Sequence, residues 1–242
     1  MGKTVLLINS SAKKGNTYNL LLQIENLLIA HGFTTEMLNL FDYRVDCCVG
    51  CQKCVTSGNC CINDDVPSLM QKMLACDGIV LSSPIYIENI SGKLKTFVDR
   101  TCEWYHSPKM AGKPVLYAAT STATGVKQTR QAFKSISISW GAPQVGAVTR
   151  TTRDIDKQVH ISEIKDFIRI LNEGNQVYSP SLYEINIFQV QKVIAQKSEG
   201  CDRDYWESHN LMDKDYYYAC KLNILNKAFS KIIFNTLKKV MV

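Results

Sequence analysis

Apolar runs alternate with stretches of helical periodicity along the first part of the chain. Thr4–Asn9 (TVLLIN) carries a continuous apolar run, as expected of a strand covered on both faces of a parallel sheet. Thr17–His31 places Leu20, Leu21, Ile24, Leu27 and Leu28 at helical spacing and stops at Gly32. Phe33–Leu40 reads as a second strand, and Val66–Cys76 as a short helix behind the capping residues Asp64 and Asp65. Gly78–Ser82 reads as a third strand and Lys93–Trp104 as a helix. Pro114–Thr120 makes a fourth strand, Lys127–Trp140 a helix, Gln144–Thr149 a fifth strand and Ile155–Leu171 the closing helix.

This alternation predicts an α/β three-layer sandwich around a parallel sheet, with ligands beyond the carboxyl ends of the strands. The functional loops are then Asn9–Asn16, Ser83–Ser91 and Thr120–Gly125. The expected division is a core over residues 1–175 and a helical arm over 181–242. At 242 residues, 45% apolar and 21% charged, the chain fits a soluble globular protein. The formal charge of +6 suits an anionic cofactor and does not by itself imply nucleic acid. Nothing near Met1-Gly2-Lys3 resembles a secretory signal, so a cytoplasmic setting is expected.

Candidate chemistry changes the picture most at Cys47–Asp65 (CCVGCQKCVTSGNCCINDD). Cys48, Cys51, Cys54 and Cys60 follow a C-x2-C-x2-C-x5-C spacing that allows thiolates to converge on an iron–sulfur cluster. Unliganded thiols and structural zinc stand beside that reading, although zinc usually takes two separated C-x2-C pairs. The first loop, Ser10–Thr17 (SSAKKGNT), combines hydroxyls, a glycine, two lysines and a helix N-terminus, the parts of a phosphate cradle. It is neither a P-loop nor a dinucleotide fingerprint. A polar turn that merely caps the helix is the alternative. In Ser82–Lys95, Pro84, Ile85 and Tyr86 form an apolar wall suited to a flat heterocycle.

Together, SSAKKGNT, CVGCQKCVTSGNC with its following DD, and SSPIYIENISGKLKTFVDR resemble the NADPH-dependent FMN reductases of flavodoxin-like fold over about residues 1–150. The cysteine segment is similar to that of iron–sulfur flavoproteins. The resemblance implies a flavodoxin-like sheet of five parallel strands in the order 2-1-3-4-5, and bound FMN. Ser10, Lys13, Asn16 and Thr17 would hold the phosphate. Pro84, Ile85, Tyr86 and Asn89 would meet the isoalloxazine, with Ser121 and Thr122 at its pyrimidine side. Cys48, Cys51, Cys54 and Cys60 would ligate a 4Fe–4S cluster, with Cys61 an alternative fourth ligand. Ala12 stands where the family usually carries Arg, leaving Lys13 or Lys14 to supply charge without its bidentate geometry.

The expected function is an FMN-dependent NAD(P)H oxidoreductase, with NAD(P)H as a transient donor and a quinone, nitro or azo compound or similar small acceptor. The alternative is an electron carrier between proteins, and a weaker one a zinc-stabilised binding module. A homodimer or homotetramer is what the resemblance suggests. No nucleophile–base pair stands out among the side chains, and no catalytic residue is assigned; His31 and His160 read as packing or surface residues. In the arm, Ser181–Lys197 and Tyr216–Val242 show helical periodicity. The second puts Leu222, Leu225, Phe229, Ile232, Ile233 and Leu237 on one side, with five lysines and no acid from Lys221 onward. A packed arm is favoured over a membrane-surface helix or a dock for an acidic partner.

Overall fold

A computed structural model describes residues 2–240 of the chain. Six strands form β1 (Thr4–Asn9), β2 (Thr34–Asn39), β3 (Gly78–Tyr86), β4 (Asn89–Ile90), β5 (Val115–Ser121) and β6 (Gln144–Thr151). The five long strands are parallel in the order β2-β1-β3-β5-β6, and β4 pairs antiparallel with β3. This is the flavodoxin-like order that the family resemblance implied.

The central strands are buried on both faces, so each contributes to two cores. Leu6, Ile8, Ile79 and Leu81 pack towards α3 (Val66–Ala75), α4 (Gly92–Asp99) and α6 (Val126–Ser139). Val5, Leu7, Val80 and Leu116 pack against α1 (Asn16–Ala30) and α7 (Ile161–Glu173). Gly78 lets α7 approach closely, since an added Cβ would fall 2.9 Å from Leu171 Cδ2 and 3.1 Å from a Phe167 ring carbon.

Four elements differ from the sequence reading. The third strand continues past Ser82 to Tyr86 and turns back as a hairpin through Ile87 and Glu88, both at positive φ (49° and 60°). The helix expected over Lys93–Trp104 breaks at Arg100–Cys102 into α4 and α5 (Glu103–His106), because Arg100 turns inward to Asp64. The closing helix begins at Ile161 instead of Ile155. Asp154 accepts from the Thr151 amide at 2.6 Å, holding a turn, while His160 and Glu163 form a capping box. The last helix, α10 (Ile224–Val240), starts after Tyr216–Tyr218, of which Tyr216 and Tyr217 are buried as packing and Tyr218 is half-buried. Met241 and Val242, included in that expected helix, lie outside the described residues.

Beyond α7 the chain adds α8 (Leu182–Lys197), α9 (Cys201–Ser208) and α10, with Ile185, Phe188, Trp206, Tyr216 and Tyr217 forming a third core. The Trp206 indole donates to the His106 carbonyl at 2.7 Å, and Gln189 donates to Ser230 at 2.6 Å. Phe229, Ser230, Ile233, Phe234 and Leu237 face inward, so the expected apolar stripe is rotated, leaving Leu225 and Ile232 exposed beside Ile224. Among the described residues, no helix is long and apolar enough to cross a membrane.

Candidate functional site: a flavin cradle beside a thiol loop

The phosphate-loop candidate leaves β1 at Asn9 and enters α1 at Asn16. Lys14 adopts positive φ (69°), and Gly15 occupies the N-cap with no side-chain cap. No acidic residue sits in the first turn of α1, so its amide donors and dipole remain available to an anion. Thr17 is buried and its hydroxyl meets Thr120 Oγ1 at 2.6 Å, which ties the cradle to the end of β5. Asn16 lines a small polar cavity with Ile155, Asp156 and Gln158.

Two of the expected phosphate contacts have other partners. The Ser10 hydroxyl is buried, donates to the Ser82 carbonyl at 2.7 Å and lies 3.1 Å from Ser91 Oγ. Lys13 pairs with Asp42 at 2.8 Å, and that carboxylate raises its pKa. Cationic charge stays at the rim, while the amides line the cradle.

Across the sheet edge, Ser83 Oγ donates to the Pro84 carbonyl and accepts from the Ser91 amide, both at 2.8 Å, bracing the β3–β4 hairpin. Tyr86 is 62% and Ile87 98% exposed, so the hairpin presents apolar surface that the protein itself leaves uncovered. Asn89 Oδ1 accepts from the Ile90 amide at 2.8 Å, and the Thr129 hydroxyl donates to the Glu88 carbonyl. Gly125 (φ +83°) packs beneath the turn, where a Cβ would lie 2.6 Å from Glu88 Cα. Ser121 donates to the Thr124 carbonyl at 2.5 Å, and the Thr122 carbonyl accepts from Thr152. The three expected loops thus share the carboxyl edge of the sheet.

The cysteine loop carries α2 (Lys53–Ser57), entered through Gln52 and left through Gly58, both left-handed. All ten cysteines are free thiols. Cys54 is half-buried; burial raises its pKa against the opposing contact with Cys102, with Glu103 and then Cys60 and Cys48 adding to the rise. The Sγ atoms of Cys51 and Cys61 are 3.4 Å apart. Cys54 Sγ lies 3.4 Å from Cys102 Sγ, and Cys102, with Cys48 also in reach, is pushed up to about 12, first by burial and then by Cys54. Arg100 donates to Cys60 Sγ at 3.4 Å while its guanidinium grips Asp64.

Cys102 and Arg100 were not legible as site residues, since no local spacing links them to the loop. His106 also gains a neighbour, its Nδ1 lying 2.8 Å from Oδ2 of buried Asp202. Among the described residues, no group of three or more His, Cys, Asp or Glu side chains could hold a single metal ion. The donor chemistry, thiols on one loop, is of the kind that ligates an iron–sulfur group, and Cys48 and Cys60 both lie near enough to act on Cys54.

An uncapped helix N-terminus and an uncovered apolar hairpin, side by side on one sheet edge, define a flavodoxin-like mononucleotide-binding protein. The family model for NADPH-dependent FMN reductase matches residues 3–153, and the chain belongs to that family. FMN is the cofactor these residues fit. The chain is 36% identical over 99 residues to an iron–sulfur flavoprotein of Methanocaldococcus jannaschii, covering 41% of this chain and 51% of that one. It is 28% identical over 148 residues to an iron–sulfur flavoprotein of Archaeoglobus fulgidus, covering 60% of this chain and 66% of that one. The chain thus spans about half to two thirds of the length of these curated relatives. Among solved structures, RosB with a bound 8-demethyl-8-formylriboflavin-5′-phosphate intermediate shares the fold over 92% of each chain, at TM-score 0.57 and 11% identity. An NADH:FMN oxidoreductase in its apo form shares it over 71% of this chain and 87% of that one, at TM-score 0.51 and 16% identity.

Proposed function

We propose that the chain is an FMN-dependent NAD(P)H oxidoreductase that reduces a small acceptor such as a quinone, nitro or azo compound, and that its cysteine loop carries an iron–sulfur centre. The observation that carries this reading is the uncapped α1 N-terminus beside the exposed Tyr86–Ile87 tip of the β3–β4 hairpin. Membership of the reductase family and likeness to curated iron–sulfur flavoproteins support it.

Bound FMN would supply hydride acceptance from the nicotinamide and delivery of one or two electrons. The chain's own residues bind and orient. The α1 amides, Asn16 and the rim lysines take the phosphate, and the Thr17–Thr120 hydroxyl contact keeps the cradle closed. Pro84, Ile85 and Tyr86 wall off one side of the ring system from water, with Asn89, Ser121 and Thr122 at its polar edges. Cys48, Cys51, Cys54 and Cys60, or Cys61, are the candidate ligands of the metal centre. A homodimer or homotetramer in the cytoplasm, with no nucleic-acid partner, completes the reading.

A second reading, an electron carrier, is favoured by the exposure of the thiol loop, which would let a protein partner approach. Steady-state NADH and NADPH oxidation with a panel of small acceptors separates the two. Turnover with small acceptors supports the reductase, and turnover only with a protein partner supports the carrier. A colourless purified chain that leaves the fluorescence of added FMN unchanged would end both.

A further inference from the structure

Two thiol contacts made by the loop have the same composition. Cys51 of the C-x2-C-x2-C-x5-C motif meets Cys61 outside it, and Cys54 of the motif meets Cys102 outside it, each with sulfurs 3.4 Å apart. We propose that Cys51–Cys61 and Cys54–Cys102 are two dithiol/disulfide couples, through which Cys61 and Cys102 reversibly withdraw motif cysteines from metal binding.

The geometry needs little motion. A disulfide holds its sulfurs about 2.05 Å apart, so each pair must close by roughly 1.4 Å. Cys51 and Cys61 are both exposed, on a loop that turns at Gly50, Gln52 and Gly58, all at positive φ. Cys102 sits at the α4–α5 break, two residues from Arg100, which also reaches Cys60. A Cys54–Cys102 bond would therefore staple the loop to the body of the protein. The oxidant is a low-molecular-weight disulfide. Two protein thiols and one RS–SR give one protein disulfide and two RSH; both thiol protons and both electrons pass to the leaving thiols. A thiol tied in a disulfide is no ligand, so oxidation and loading with iron exclude one another.

This inference rests on the loop reading above only for its consequence, not for the bonds themselves. Metal-free, reduced chain is incubated with oxidised glutathione, trapped with N-ethylmaleimide and mapped by peptide mass spectrometry. The expected result is loss of four of the ten thiols, appearing as the Cys51–Cys61 and Cys54–Cys102 links and reversed by dithiothreitol. Stable glutathione adducts, scrambled links or unchanged thiols would overturn it. Iron uptake from ferrous iron, ferric iron and sulfide is then measured. It should fall to background in the oxidised chain and return to the reduced chain's value after dithiothreitol. If a Cys102→Ser variant, while reduced and retaining its FMN absorbance, takes up less iron than the parent, Cys102 is a ligand and the inference fails. Links that form in a chain taking up no iron uphold the couples and sink only the iron–sulfur reading.

Discussion

Arg100 holds Asp64 through both terminal guanidinium nitrogens, NH1 on Oδ2 and NH2 on Oδ1 at 3.1 Å, with both side chains almost wholly removed from water. The same guanidinium reaches the Asp46 carbonyl at 3.0 Å and Cys60 Sγ at 3.4 Å. One residue at the end of α4 thus ties both flanks of the cysteine loop to the core.

Removing the arginine should therefore be costly. Arg100→Met leaves a buried carboxylate without its counter-ion, a change worth about 3–5 kcal/mol. Urea denaturation should show the loss, and limited proteolysis should cut within residues 47–65 well before the rest of the chain.

Acid should act through the same pair. Burial pushes Asp64 up, but Arg100 and the Asp46 and Val66 amides outweigh it and hold its pKa below the ordinary 3.8. Its contribution is fully present above that value and is lost as pH falls through the lower folded value. Asp64→Asn should be less stable at neutral pH, and its urea midpoint should fall less than the parent's below pH 3.8. An equal fall in both would contradict the assignment.

Charge at the start of α1 should have opposite effects with and without cofactor. Asn16→Asp places a carboxylate in the first turn, stabilising the cofactor-free helix by about 0.3–1 kcal/mol. Beside the FMN phosphate it should weaken binding on the order of tenfold. Flavin fluorescence titration and thermal denaturation of cofactor-free protein check both signs.

Gly125→Ala tests the hairpin support. The added Cβ would lie 2.8 Å from Ile85 Cγ2 and 2.6 Å from Glu88 Cα, at φ +83°. A cost of about 1–3 kcal/mol and a shifted flavin spectrum are expected, because the turn must move. Unchanged spectrum and stability would show that the hairpin does not shape the site.

The chain's own pattern determined the fold. Apolar runs such as TVLLIN and helical spacing as in Thr17–His31 are local records of burial, so strand succession follows from short stretches, while the sheet order was what the resemblance to flavodoxin-like reductases implied. The candidate phosphate loop and the cysteine motif stood out as candidates for the same reason: their residues are contiguous. Tertiary structure alone decided which thiols touch, that Ser10 and Lys13 already have partners, and that α4 breaks where Arg100 turns inward. Those outcomes depend on residues far apart in the chain meeting in a close-packed interior, and no local periodicity encodes that meeting.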